Sequence, residues 1–160
     1  MIQAGVKDMG AEDIAHFMVE FVYKKEVERL PWLPGVYDLI TAVRDAGIPQ
    51  IIVTSSPEKM ARNVKEQAPE GAFMAYVCDN DDVPHKPSPE PYLLAARTMG
   101  VDIKDSVPGL TAAAASGASW VSVTGYSSID ARERGLASQF VRDYEGLGID
   151  DIARFFAHKG

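Results

Sequence analysis

Apolar positions near the start of the chain recur at helical spacing. Ile14, Phe17, Met18, Phe21 and Val22 fall at i, i+3, i+4, i+7 and i+8 and predict an amphipathic helix from about Ala11 to Glu28. The segment Leu30-Pro31-Trp32-Leu33-Pro34-Gly35 ends it, because proline breaks a helix interior. Val36, Leu39, Ile40 and Val43 form a second stripe, a helix from about Gly35 to Ala46 stopped by Gly47. The apolar run Gln50 to Thr54 then reads as a buried parallel strand. Ser55-Ser56-Pro57 opens a helix to about Gln67, with Ser55 or Ser56 as its cap and Pro57 in its first turn. Met74 to Cys78 is a strand, Asp79 to Asp82 a polar loop, and Pro89 to Met99 a helix closed by Gly100. Further on come a helix from Leu110 to Ser116, a strand from Trp120 to Val123 and a helix around Asp130 to Ala137. A weak strand at Phe140-Val141 and a helix from Ile149 to Ala157 complete the series.

Strand and helix alternate over most of the length. The pattern predicts an α/β fold, a Rossmann-like parallel sheet with helices on both faces. Such sheets place their chemistry at the carboxyl ends of the strands. The 160 residues suffice for one core, and 46% apolar with 24% charged is the balance of a globular protein. A net charge of −7 argues against nucleic acid as a partner. No apolar run is long enough to span a membrane. The opening residues lack a signal-peptide layout, so a cytoplasmic location is expected. The single cysteine, Cys78, reads as a small buried residue near a strand end rather than a reactive thiol.

Three places carry candidate chemistry. Thr54-Ser55-Ser56 sets hydroxyls between a strand end and a helix N-terminus, where unpaired N–H groups favour an anion; the same residues also serve simply as a helix cap. Lys86 stands in His85-Lys86-Pro87-Ser88-Pro89-Glu90-Pro91, where three prolines restrict the backbone around one cation. A lysine so held neutralises a phosphate; a solvated surface charge is the alternative. Asp105-Ser106 precedes a turn and an Ala-rich helix, and is either an N-cap or an oxygen donor for a hard cation. Asp79, Asp81 and Asp82 read as a solvated loop. His16, His85 and His158 have no zinc-ligand spacing.

From about Leu33 onward these motifs together resemble the haloacid dehalogenase superfamily, in its phosphoglycolate phosphatase and β-phosphoglucomutase branch. LPGVYDLITAVRDAGIPQIIVTSS is similar to the second motif, matching Thr54. HKPSPEPYLLAARTMGV is similar to the third, matching Lys86, and DSVPGLTAAAASGA to the fourth, with Asp105 nearest to a metal-binding carboxylate. The resemblance implies a remnant of a helical cap over residues 1–33 and an α/β core, shortened relative to the family, over 34–160. It also implies a Mg-dependent phosphatase or phosphomutase lineage acting on a small phosphorylated metabolite. Thr54, Ser55 and Lys86 would hold phosphate, with Lys86 also catalytic and Asp105 the metal ligand.

The family attacks phosphate with the first aspartate of an Asp-x-Asp pair after an apolar strand. These residues contain no Asp-x-Asp-Gly following such a strand, and Val101 to Lys104 leaves no room for the strand expected before the fourth motif. The expectation is very weak or no turnover. The alternative is a pseudoenzyme or fragment, a non-catalytic module that binds phosphate or another chain, and the face carrying Phe17 and Phe21 suits a homo-oligomer.

Overall fold

A computed structural model describes residues 10–100, 121–123 and 139–156. The chain divides into two compact units, Met1–Pro31 and Trp32–Gly160.

The first unit carries helix α1, Ala11–Glu26. Its start is secured by Asp13, whose carboxylate accepts the Gly10 N–H at 3.1 Å. Glu12 and Asp13 in the first turn, with Lys24 and Lys25 in the last, complement the helix dipole. The apolar stripe exists where the periodicity puts it, and it lies on the surface. Phe17 and Met18 are each 60% exposed and Phe21 55%, and no residue of α1 is buried.

The second unit begins with α2, Val36–Asp45, followed by strand β1, Ile51–Val53, and α3, Glu58–Gln67. Next come β2, Ala75–Val77, and α4, Glu90–Met99. The later described elements are β3, Val121–Val123, β4, Gln139–Val141, and α5, Ile149–Phe156. β1 and β2 run parallel with Val53 opposite Val77, and β3 pairs with β4 in the same sense. Met74 N–H donates to the Gln50 carbonyl at 3.0 Å and Thr54 N–H to that of Val77 at 2.9 Å, so the pairing runs one residue past each end of β1. This is the α/β arrangement that the alternation predicts.

Small residues let the layers approach closely. Ala95 and Ala96 of α4 and Ala61 of α3 are buried together with Val77, Cys78 and Tyr92. α3 packs on β2, and α4 reaches both β1 and β2. Burying Tyr92 contributes about 1.5–3 kcal/mol by apolar area alone. The Gln50 amide donates to Ile40 at 3.0 Å and to Ala72 at 3.3 Å, tying α2 to the turn before β2. α5 packs against α2. Gly35, at φ +80°, starts α2 where a side chain would collide with the Tyr144 carbonyl, 2.3 Å from the Cβ position.

One expectation changes. Neither Ser55 nor Ser56 caps α3; Pro57 holds the N-cap position, and the Glu58 N–H donates to Asn80 Oδ1 at 2.9 Å. Proline brings no side-chain acceptor, so a residue 22 positions away from Glu58 does the capping. The predicted helices at Leu110–Ser116 and Asp130–Ala137, and the start of the strand at Trp120, lie outside the described residues. Among the described residues no helix is long and apolar enough to cross a membrane.

Candidate functional site

The carboxyl edge of the β1–β2 pair is where the candidate residues gather. Thr54 follows β1 directly. Its Oγ1 accepts the Ser56 N–H at 3.0 Å, a local turn that folds the chain toward α3 and leaves the hydroxyl proton for another acceptor. Ser55 lies exposed between the two residues of that contact.

Lys86 arrives at the same edge from the loop after β2. Its Nζ donates to the Val53 carbonyl at 3.0 Å, the residue immediately before Thr54. It also lies 5.0 Å from the centre of the Tyr92 ring, a cation–π contact with the buried first turn of α4. The Lys86-Pro87 peptide is cis. An ammonium has three donors, and one directed at Val53 leaves others for a ligand. The lysine is thereby aimed without being consumed.

The loop between them is laced by short bonds. Asp79 N–H donates to the Ser56 carbonyl at 3.1 Å, joining the two loops at the edge. The Asp81 carboxylate accepts the Cys78 N–H at 2.7 Å, and Asp79 Oδ1 lies 3.5 Å from His85 Nδ1. Ser88 N–H donates to the His85 carbonyl at 3.0 Å, and Ser88 Oγ accepts the Glu90 N–H at 3.3 Å, bending the chain around Lys86 into α4. Burial raises the Cys78 thiol pKa above its ordinary value, which holds it as the uncharged, apolar residue expected at a strand end.

The structure therefore brings Thr54, Ser55 and Lys86 to one sheet edge. Asp105 and its neighbour Ser106 lie outside the described residues. Among the described residues no three His, Cys, Asp or Glu side chains converge as a metal site, and Asp79 and Asp81 already have other partners. Sequence reasoning missed two supporting residues. Tyr92 backs the lysine, and its only signal is an aromatic at the opening of α4. Asn80 caps α3, and nothing local marks it.

A pocket of about 480 Å³ lies elsewhere, along α3 and the turn that follows, lined by Arg62, Lys65, Glu66, Glu70, Gly71 and Tyr76. Its cations are engaged: Arg62 with Glu58 at 2.5 Å, and Lys65 with the Met74 carbonyl at 2.8 Å. With two glutamates beside them, it offers an anion less than the Lys86 edge does.

Comparison with known proteins bears on the family and the fold. A CBBY-like protein of Arabidopsis thaliana is 34% identical over 118 residues, covering 68% of this chain and 37% of that protein. A phosphoglycolate phosphatase of Pseudomonas putida is 29% identical over 151 residues, covering 87% of this chain and 55% of the relative. The chain thus spans about half the length of such relatives, or less. Among solved structures, CbbY from Rhodobacter sphaeroides in complex with phosphate superposes with a TM-score of 0.68 at 21% identity, over 91% of this chain and 70% of that one, a likeness of fold. The family model described as haloacid dehalogenase-like hydrolase matches residues 2–117, a span that contains both Thr54 and Lys86. With that match over most of its length and a parallel α/β fold to go with it, the chain belongs to the haloacid dehalogenase-like hydrolases.

Proposed function

We propose that the edge formed by Thr54, Ser55 and Lys86 binds the phosphate group of a small phosphorylated metabolite. One observation carries the reading: Lys86, 33 positions from Val53, donates to the carbonyl adjoining Thr54. A cation and hydroxyls on one strand edge offer charge neutralisation and directed donors to the same anion. The phosphoglycolate phosphatase relative and the phosphate-bound fold neighbour support phosphate as the ligand. Residues 1–33 are then the remnant of a cap, and residues 34–160 the core.

Lys86 would hold negative charge on the phosphoryl oxygens, while the Thr54 hydroxyl and the N–H groups ahead of α3 orient them. Magnesium, when bound, would add Lewis-acid charge to the same oxygens, with Asp105 its proposed ligand. The described residues supply no donor set for it. Turnover by these 160 residues is expected to be very weak, because no Asp-x-Asp-Gly follows an apolar strand and the covalent step lacks its usual attacking carboxylate. The chain then behaves as a phosphate-binding module of phosphatase descent.

Two assays on the pure chain test this reading. Millimolar phosphate should raise the melting temperature by linkage. With p-nitrophenyl phosphate and Mg²⁺, release of product should stay near background. A flat melting temperature contradicts the binding site. Robust turnover that disappears in Lys86→Ala contradicts the loss of chemistry while keeping the site.

A further inference from the structure

We infer that Tyr92 is the positioning residue for Lys86: its buried ring fixes where the ammonium sits, and so sets the affinity of the edge for phosphate. The inference deepens the phosphate reading and rests on it for its ligand. It starts from a lysine on an exposed loop, which ordinarily keeps its rotamer freedom. One hydrogen bond, to the Val53 carbonyl at 3.0 Å, holds Nζ at a distance from a single oxygen and leaves it free to swing about that point. The Tyr92 ring centre, 5.0 Å from the same Nζ, is a second fixed point, and it belongs to α4 rather than to β1.

Both ends of this arrangement are stiff. Tyr92 is 5% exposed and shares the core side of α4 with Ala95 and Ala96, each 4% exposed, so the ring has little room to move. Between Lys86 and Tyr92 the chain carries Pro87, Pro89 and Pro91, which restrict the backbone. Ser88 N–H donates to the His85 carbonyl and Tyr92 N–H to that of Pro89, each at 3.0 Å, so the path from lysine to ring is bonded on both sides. Packing alone asks of position 92 only apolar volume, which leucine or methionine supplies. An aromatic adds a ring face with negative potential, and that face is what attracts a cation. A lysine held in place before the anion arrives gives up less freedom on binding, so the ring acts on affinity through the lysine.

The test reads two quantities on the full chain. The first needs no ligand: the NMR shift of the Lys86 ε-methylene protons in the ¹³C-labelled protein, assigned by its loss in Lys86→Arg. The ring should move these protons upfield of their random-coil position. Tyr92→Leu should return them to it and Tyr92→Phe should keep them displaced. The second is the affinity for inorganic phosphate by isothermal titration. Tyr92→Leu should weaken it about three- to tenfold, while Tyr92→Phe stays near wild type. If Tyr92→Leu does not fold, Tyr92→Met takes its place, and the wild-type shift is read without any variant at position 92. Random-coil Lys86 shifts in the wild type overturn the inference. So does a Tyr92→Leu chain that folds and binds phosphate as tightly as wild type, or a Tyr92→Phe chain that loses affinity as Tyr92→Leu does. A displaced Lys86 signal in a wild-type chain that binds no phosphate overturns the phosphate reading instead, and leaves the ring as what positions the lysine.

Discussion

The ammonium of Lys86 sits 3.0 Å from the carbonyl oxygen of Val53, so the cation of one loop is anchored on the last residue of the strand that delivers Thr54. Val53 is the last residue of β1, and its carbonyl accepts the bond from the lysine. The bond fixes the lysine against the strand end, and the Tyr92 ring supports it from the α4 side. Everything proposed for phosphate rests on that short span of chain.

The edge depends on α3 starting where it does, and Asn80 secures that start. Asn80→Ala removes the acceptor of the Glu58 N–H and should cost about 1 kcal/mol of stability. Asn80→Asp keeps an acceptor oxygen and should retain most of it. Urea unfolding of the three proteins measures the difference.

Gly35 is required for two reasons together, a positive φ and the Tyr144 carbonyl where a Cβ would go. Gly35→Ala should therefore lose about 3 kcal/mol or more, or fail to fold. Gly47, at φ +72° with nothing within 4 Å, supplies the control. Gly47→Ala should cost only the left-handed backbone penalty of about 1–2 kcal/mol.

Glu58 couples stability to acid pH. The hydrogen bond from Arg62, then that from Tyr76, holds its carboxyl below the ordinary value of 4.5. Because the unfolded chain binds this proton more readily, the contribution is present above pH 4.5 and fades as pH falls through the lowered folded value. Glu58→Gln should flatten the acid limb of the stability profile and leave the neutral region little changed in slope. Thermal melts in a pH series check this.

Cys78 should be a quiet thiol. Buried at 6% exposure, with its pKa raised by that burial, it should react with a thiol reagent such as DTNB far more slowly in the native protein than in urea. Rapid native labelling would show that the end of β2 opens readily.

Local chemistry made most of the described fold readable. The stripes of α1 and α2, the apolar runs at 51–53 and 75–77, and the Gly100 stop each follow from periodicity or backbone preference. The misread cap of α3 had a physical cause: Ser55 and Ser56 are good caps in isolation, but Thr54 takes the Ser56 N–H and Asn80 arrives from the next loop. The stripe on α1 was legible as a face, whereas what covers a face is a matter of tertiary or quaternary contact. Thr54 and Lys86 were legible as a pair because strand ends in a parallel sheet share an edge. The tyrosine behind the lysine was not, since a ring in a helix reads first as core.

The most direct measurement is isothermal titration of the whole chain with inorganic phosphate, beside Lys86→Ala. The wild-type chain should bind saturably, and the variant should bind at least about tenfold more weakly, since it lacks the charged hydrogen bond to the anion; its ligand-free melt should fall only by what the exposed bond to Val53 and the Tyr92 ring contact contribute. Equal affinity in the two proteins, or no binding by either at millimolar phosphate, would contradict a phosphate site at the Thr54–Lys86 edge.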